Sequence, residues 1–272
     1  MKRMYRFLGV FLSLFALSLV LFSSYAHAAE TSMFDTETSS QGYFSVNYNT
    51  SSGTKMKVGV TSSGKTVYYT YIPGAKASYT FPNGDGTYTL TLYQNISGTS
   101  YRAVGSKSVT VKMEDEFAPY LASTAEITFS AEDGVGKKAD ELCRGKKNDS
   151  AKVVAINNYI AGNFTYDFDF AARVSSGSVK NYIPNTNETL TAKTGICYDF
   201  SALFAAMCRS QGIACKVQRG YLNGTYHAWN QVYVNDAWQA VDVTASISKG
   251  LSTAKKLADV TFSMNAENGY IV

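Results

Sequence analysis

The chain has 272 residues, with 25 basic and 21 acidic side chains and a formal net charge of +4 at pH 7. Lys2, Arg3 and Arg6 lie within the first 28 positions, which hold no acid, so the remainder is close to neutral. Nothing in that balance calls for nucleic acid or an anionic membrane surface as partner.

A basic start precedes an almost wholly apolar run from Leu8 to Phe22 and a small-x-small site, Ala26-His27-Ala28. This three-part pattern predicts a secretory signal peptide cleaved after Ala28, and the apolar run is short for a membrane span. No later stretch is long and apolar enough to cross a bilayer. The expected product is secreted or held at the cell surface, has about 244 residues, and keeps His227 as its single histidine. An exported compartment permits disulfides.

Residues 29–42 are small and polar and read as a flexible lead-in. From Tyr43 to Met113, short Tyr/Val/Thr-rich runs alternate with period two and are separated by Ser-Gly and Asn-Gly-Asp-Gly turn signals. About seven such strands predict an all-β sandwich of immunoglobulin or fibronectin-III type. Residues 114–272 form the second predicted domain. Helical signals come first: Ser130 is the expected N-cap of 130–143, and Val153, Ile156 and Ile160 mark one side of the next helix. Residues 172–194 read as a polar loop. A helix beginning near Cys197 and ending at Gly212 follows, then strands. Helices followed by an antiparallel sheet make this half α+β.

The stretch GICYDFSALFAAMCRSQGI (195–213) places Cys197 in the first turn of an apolar helix, where free N–H groups and the helix dipole favour a thiolate. Gly195 leaves room for a substrate or a neighbouring backbone to approach. Asp199 is assigned to the first helical turn through the dipole. His227 opens HAWNQVYVNDAWQAVDVT, two alternating runs joined at Asn235-Asp236. A two-residue loop makes paired positions sum to 471, which sets Trp229 opposite Asp242 and His227 diagonally beside Asp242. Cys, His and Asp in that relation form a nucleophile–base–orienter set.

These stretches, with INNYIAGNFTYD ahead of them, resemble the transglutaminase-like superfamily of papain-like thiol enzymes over about residues 140 to 245. The resemblance implies an α+β thiol-enzyme core with Cys197 as nucleophile, His227 as base and Asp242 as orienter. With the preceding sandwich, the chain looks like an exported bacterial type. The papain-type oxyanion glutamine has no counterpart; the Cys197 backbone N–H and the Tyr166 hydroxyl are the candidate donors. The chemistry implied is acyl transfer on amide bonds, with hydrolysis (peptidase or amidase) favoured over cross-linking. The expected partner is a protein or peptide substrate, with the cell envelope as one source. A non-catalytic surface binding or scaffold protein is the alternative of a different class. Cys143 is expected to be buried, while a Cys208–Cys215 bridge and simple packing of Cys208 both stay open. One histidine and no C-x-x-C pair argue against zinc, and no cofactor is implied.

Overall fold

The computed structural model describes residues 33–271 apart from 52, 223 and 265; the expected signal peptide lies outside the described residues. The N-terminal region holds two antiparallel sheets. One has the order β1 (Phe34–Asp35), β2 (Tyr43–Val46), β5 (Ala77–Thr80). The other has the order β4 (Lys65–Tyr71), β3 (Met56–Ser62), β6 (Gly86–Ser97), β7 (Ser100–Val111). Apolar side chains at alternate positions, such as Val58 and Val60, face inward and are buried. The sheets meet through aromatic pairs, Tyr69–Tyr79 at 5.2 Å and Phe81–Tyr88 at 4.9 Å between ring centroids.

Two expectations change here. Runs 100–105 and 107–113 are one long strand, β7, because no residue between them breaks the ladder with β6. The lead-in is not free throughout: Phe34 pairs with Val46 and is buried beside Met33. Met33 reaches across to the second sheet, where its side chain lies in the space left by Gly105 of β7.

After the linker comes a helical layer: α1 (Gly134–Cys143), α2 (Asp149–Asn163), α3 (Phe168–Ser175), α4 (Thr186–Ala192) and α5 (Cys197–Ser210). Asp133, rather than Ser130, caps α1 by accepting the Gly136 N–H at 2.8 Å. Ser130 instead joins a reciprocal pair, its hydroxyl accepting from the Asp133 N–H. The polar stretch 172–194 contains the end of α3 and all of α4. Asn185 caps α4, and Thr186 and Thr189 are its buried contacts, so the apolar periodicity that announces a helix is absent.

A four-stranded antiparallel sheet closes the fold in the order β12 (Ala237–Val241), β11 (Thr225–Val234), β10 (Cys215–Leu222), β13 (Ala266–Ile271). Between β12 and β13 lie α6 (Val243–Ser248) and α7 (Leu257–Val260). Helix α5 is the buried centre, with Phe200, Leu203, Phe204 and Met207 fully enclosed. Asn230 on β11 fixes the helix against the sheet: its amide donates to the Ser201 carbonyl at 3.0 Å and to the Lys216 carbonyl at 3.3 Å. Among the described residues no helix is long and apolar enough to cross a membrane.

Candidate active site

Cys197 is the first residue of α5 and is partly exposed, unlike Cys143, Cys208 and Cys215, which are buried; all four are free thiols. Asp199 braces the turn that carries it. One carboxylate oxygen of Asp199 accepts the Ile196 N–H at 2.8 Å, and the other accepts the Tyr182 hydroxyl in a short bond. Burial raises the Asp199 pKa despite those two donors, and burial beside Asp199 raises that of Tyr182. Gly195 is explained by the same group. A Cβ there would stand 2.9 Å from the Asp199 Cβ and from one of its oxygens, so Asp199, not a substrate, occupies the space the missing side chain leaves.

The β11–β12 hairpin supplies the next two groups. Asn235 and Asp236 form its two-residue turn with φ of 54° and 59°, the left-handed conformations that a primed hairpin turn requires. The ladder runs from Val234↔Ala237 to Asn230↔Val241, the register in which positions sum to 471. Asp242 follows directly and does two jobs. One oxygen caps α6 by accepting the Ala245 N–H at 2.9 Å; the other accepts from His227 Nε2 at 2.8 Å. With Nε2 engaged there, Nδ1 is the nitrogen left free for the Cys197 thiol, which lies near enough to the ring to act on its charge. Trp229 lies nearly parallel to the imidazole, 6.2 Å away. Burial works to lower the His227 pKa, but Asp242 and Cys197 outweigh it and push it up to about 10. The site therefore favours an imidazolium beside the sulfur.

Tyr166 arrives on β8 (Thr165–Tyr166), which runs parallel to β9 (Thr194–Gly195), the segment leading into Cys197. Its hydroxyl lies against Cys197, close enough for that residue's backbone N–H and thiol to act on it. Burial, then the adjacent Cys197, push its pKa up to about 12, so it stays a protonated donor. The structure thus brings Cys197, His227, Asp242 and Tyr166 into one cluster.

Residues 136–243 match the family model of the transglutaminase-like superfamily, and all four clustered side chains fall within that span. This segment is a transglutaminase-like domain. Among curated proteins, the chain is similar to kyphoscoliosis peptidase of Mus musculus, 29% identical over 135 residues, covering 45% of this chain and 19% of that protein. The Homo sapiens protein of the same name is 29% identical over 127 residues, covering 42% and 18%. The match thus spans about a fifth of the length of these relatives. Among solved structures, "a TGase" aligns with 23% identity and a TM-score of 0.35, over 45% of this chain and 32% of that one. The periplasmic domain of TgpA from Pseudomonas aeruginosa aligns with 13% identity and a TM-score of 0.34, over 74% and 93%.

The transglutaminase-like domain also holds polar groups that sequence reasoning did not pick out. Arg219 on β10 donates to the Tyr198 hydroxyl at 2.9 Å, beside the thiol residue, and pairs with buried Glu126 of the linker at 3.4 Å. Tyr182, the partner of Asp199, sits in the polar stretch where no periodic pattern marks it. Only the acid two residues after Cys197 gave a local signal for that pair. Among the described residues, no group of three or more His, Cys, Asp and Glu side chains is placed to hold a metal.

Proposed function

We propose that this chain is an exported thiol-dependent acyl-transfer enzyme acting on amide bonds of proteins or peptides, with Cys197 as nucleophile, His227 as general base and acid, and Asp242 as orienter. The observation that carries the reading is the imidazole of His227, held by Asp242 at Nε2 with the Cys197 thiol close enough to influence its charge. In the resting ion pair His227 already holds the thiol proton as an imidazolium, and the thiolate attacks the amide carbonyl. Negative charge gathers on the carbonyl oxygen, where the Cys197 N–H and the Tyr166 hydroxyl are the donors at hand. The imidazolium then protonates the departing amine, and a thioester remains on Cys197. Water activated by His227 releases the acid; an attacking amine would give a cross-link instead.

Hydrolysis is the favoured outcome, and the peptidase named among the curated relatives supports that choice. The domain plan proposed is a leader over 1–28, a lead-in over 29–42, an immunoglobulin- or fibronectin-like sandwich over 43–113, and the catalytic domain over 114–272. Export, to the cell surface or beyond, rests on the leader pattern. A substrate from the cell envelope fits that location.

The test is iodoacetamide labelling of the chain at pH 6, followed by mass spectrometry of the Cys197 peptide. Labelling should outpace that of a simple thiol and drop at least ~10-fold in His227→Ala, since the imidazolium partner of the thiolate is gone. Labelling no faster than a simple thiol, and indifferent to His227, would leave the scaffold alternative. A fluorescent amine offered with a glutamine-bearing protein separates the two reactions: release of fragments or ammonia without incorporation supports hydrolysis, and incorporation supports cross-linking.

A further inference from the structure

Helix α3 buries none of its residues, yet its first turn carries two phenylalanines. Phe168 is 77% exposed, the highest value among the exposed large apolar side chains of the described residues. Its ring rests on Tyr166, 4.9 Å between centroids, and Tyr166 in turn touches the Cys197 thiol and backbone N–H. The ridge that holds the two rings is tied to the lead-in of the nucleophile. The Thr165 N–H donates to the Lys193 carbonyl at 3.0 Å, and the Asp167 N–H to the Gly195 carbonyl at 2.8 Å. Asp167 also caps α3, accepting the Phe170 N–H at 2.8 Å. A large apolar ring thus leans on the tyrosine that reaches Cys197, one ring removed from the thiol, and is no part of the core. Exposed aromatic surface of this kind gains free energy when a ligand covers it.

We propose that Phe168, seated on Tyr166, is a specificity-determining residue that receives a bulky apolar or aromatic side chain on the acyl side of a polypeptide substrate. The inference rests on the acyl-transfer reading above and names the substrate class of that same site. The side follows from the chemistry. His227 must protonate the leaving amine, so the amine half of the substrate lies toward β11. The acyl half then lies across the sulfur, over the β8–β9 ribbon that carries Tyr166 and leads into Phe168. An apolar side chain fits better than a sugar ring. Sugar platforms need free hydrogen-bonding groups around the aromatic face, and here the Asp167 carboxylate caps α3 while the Tyr166 hydroxyl lies against Cys197.

The experiment uses the full chain and two peptidyl chloromethyl ketones that differ only in the acyl-side residue, Phe in one and Gly in the other. The rate of Cys197 alkylation by each is divided by the iodoacetamide rate of the same protein. The Phe probe should react at least ~10-fold faster than the Gly probe, the scale of selectivity one apolar contact supplies. Phe168→Ala should bring the two to within about twofold, and Phe168→Tyr, which keeps the ring, should restore most of the difference. Because Phe168 is exposed, a thermal melt serves to verify that each variant is folded. Equal rates in the parent chain, a preference that survives Phe168→Ala, or protection of Cys197 by soluble glycan strands but not by apolar dipeptides would each overturn the proposal. If iodoacetamide itself labels Cys197 no faster than a simple thiol, the acyl-transfer reading fails and the subsite falls with it; normal labelling without probe preference removes the subsite alone.

Discussion

Asp242 shows how one side chain serves both structure and chemistry. Its two oxygens divide the work, one on the first turn of α6 and one on His227. Asn caps a helix about as well as Asp does, so Asp242→Asn keeps the α6 cap while removing the negative charge from the imidazole. We expect its melting temperature to stay near that of the parent while iodoacetamide labelling at pH 6 falls by up to as much as in His227→Ala, about 10-fold. A large loss of stability with labelling intact would show that Asp242 serves the cap alone. His227 gives a second expectation at this scale. Its pKa rises from 6.5 in the unfolded chain to about 10 in the fold, so the fold binds the proton more tightly. The resulting stabilisation is fully present below pH 6.5 and is lost as the pH climbs through about 10. Thermal melts between pH 6 and 10 should therefore decline more steeply for the parent chain than for His227→Gln; parallel curves would contradict the shift.

At the scale of elements, the start of α5 depends on three groups that lock together: Gly195, Asp199 and Tyr182. Asp199 is 2% exposed and held at both oxygens, so it has little freedom to yield. Gly195→Ala drives a methyl group to 2.9 Å from it. The expected cost is about 1–3 kcal/mol, as for other overpacked sites, read as a lower urea midpoint with the slope unchanged. A variant as stable as the parent would mean that the turn can open without loss. The helix itself was legible from Phe200, Leu203, Phe204 and Met207, whose spacing marks the buried face. Tyr182 was not, because it lies in a segment whose helix α4 buries threonines rather than aliphatic side chains. The hairpin register was legible because it needs only a turn that accepts positive φ at two positions and strands of period two.

At the scale of the whole molecule, the linker between the β region and the transglutaminase-like domain is a packed seam. Phe117 packs at a tilt against Tyr233, 4.5 Å between ring centroids, the Tyr120 hydroxyl donates to the Pro82 carbonyl at 3.1 Å, and buried Arg209 donates to the Ala122 carbonyl at 2.8 Å. Glu126 sits in the same seam, 2% exposed, with Arg219 at 3.4 Å and Lys57 of β3 within its field. Removing one partner of a buried ion pair leaves the other charge stranded. Arg219→Met should therefore cost about 3–5 kcal/mol, measured by urea unfolding, and should lower the stability of both halves together because the seam belongs to both. A loss below about 1 kcal/mol would mean that water already screens the pair.

What the sequence determined by itself is local: the alternating strands of the β region, the apolar face of α5 with Cys197 at its head, and the hairpin that seats His227 beside Asp242. Each of these is written in a period of 2 or 3.6 residues, or in the conformational needs of a turn. The meeting of Cys197 with His227, the approach of Tyr166 to Cys197, the Tyr182–Asp199 bond and the Glu126–Arg219 pair were decided only by tertiary structure. These join residues far apart in the chain, and such contacts come from how whole elements bury their apolar faces against one another, which no spacing along the chain records.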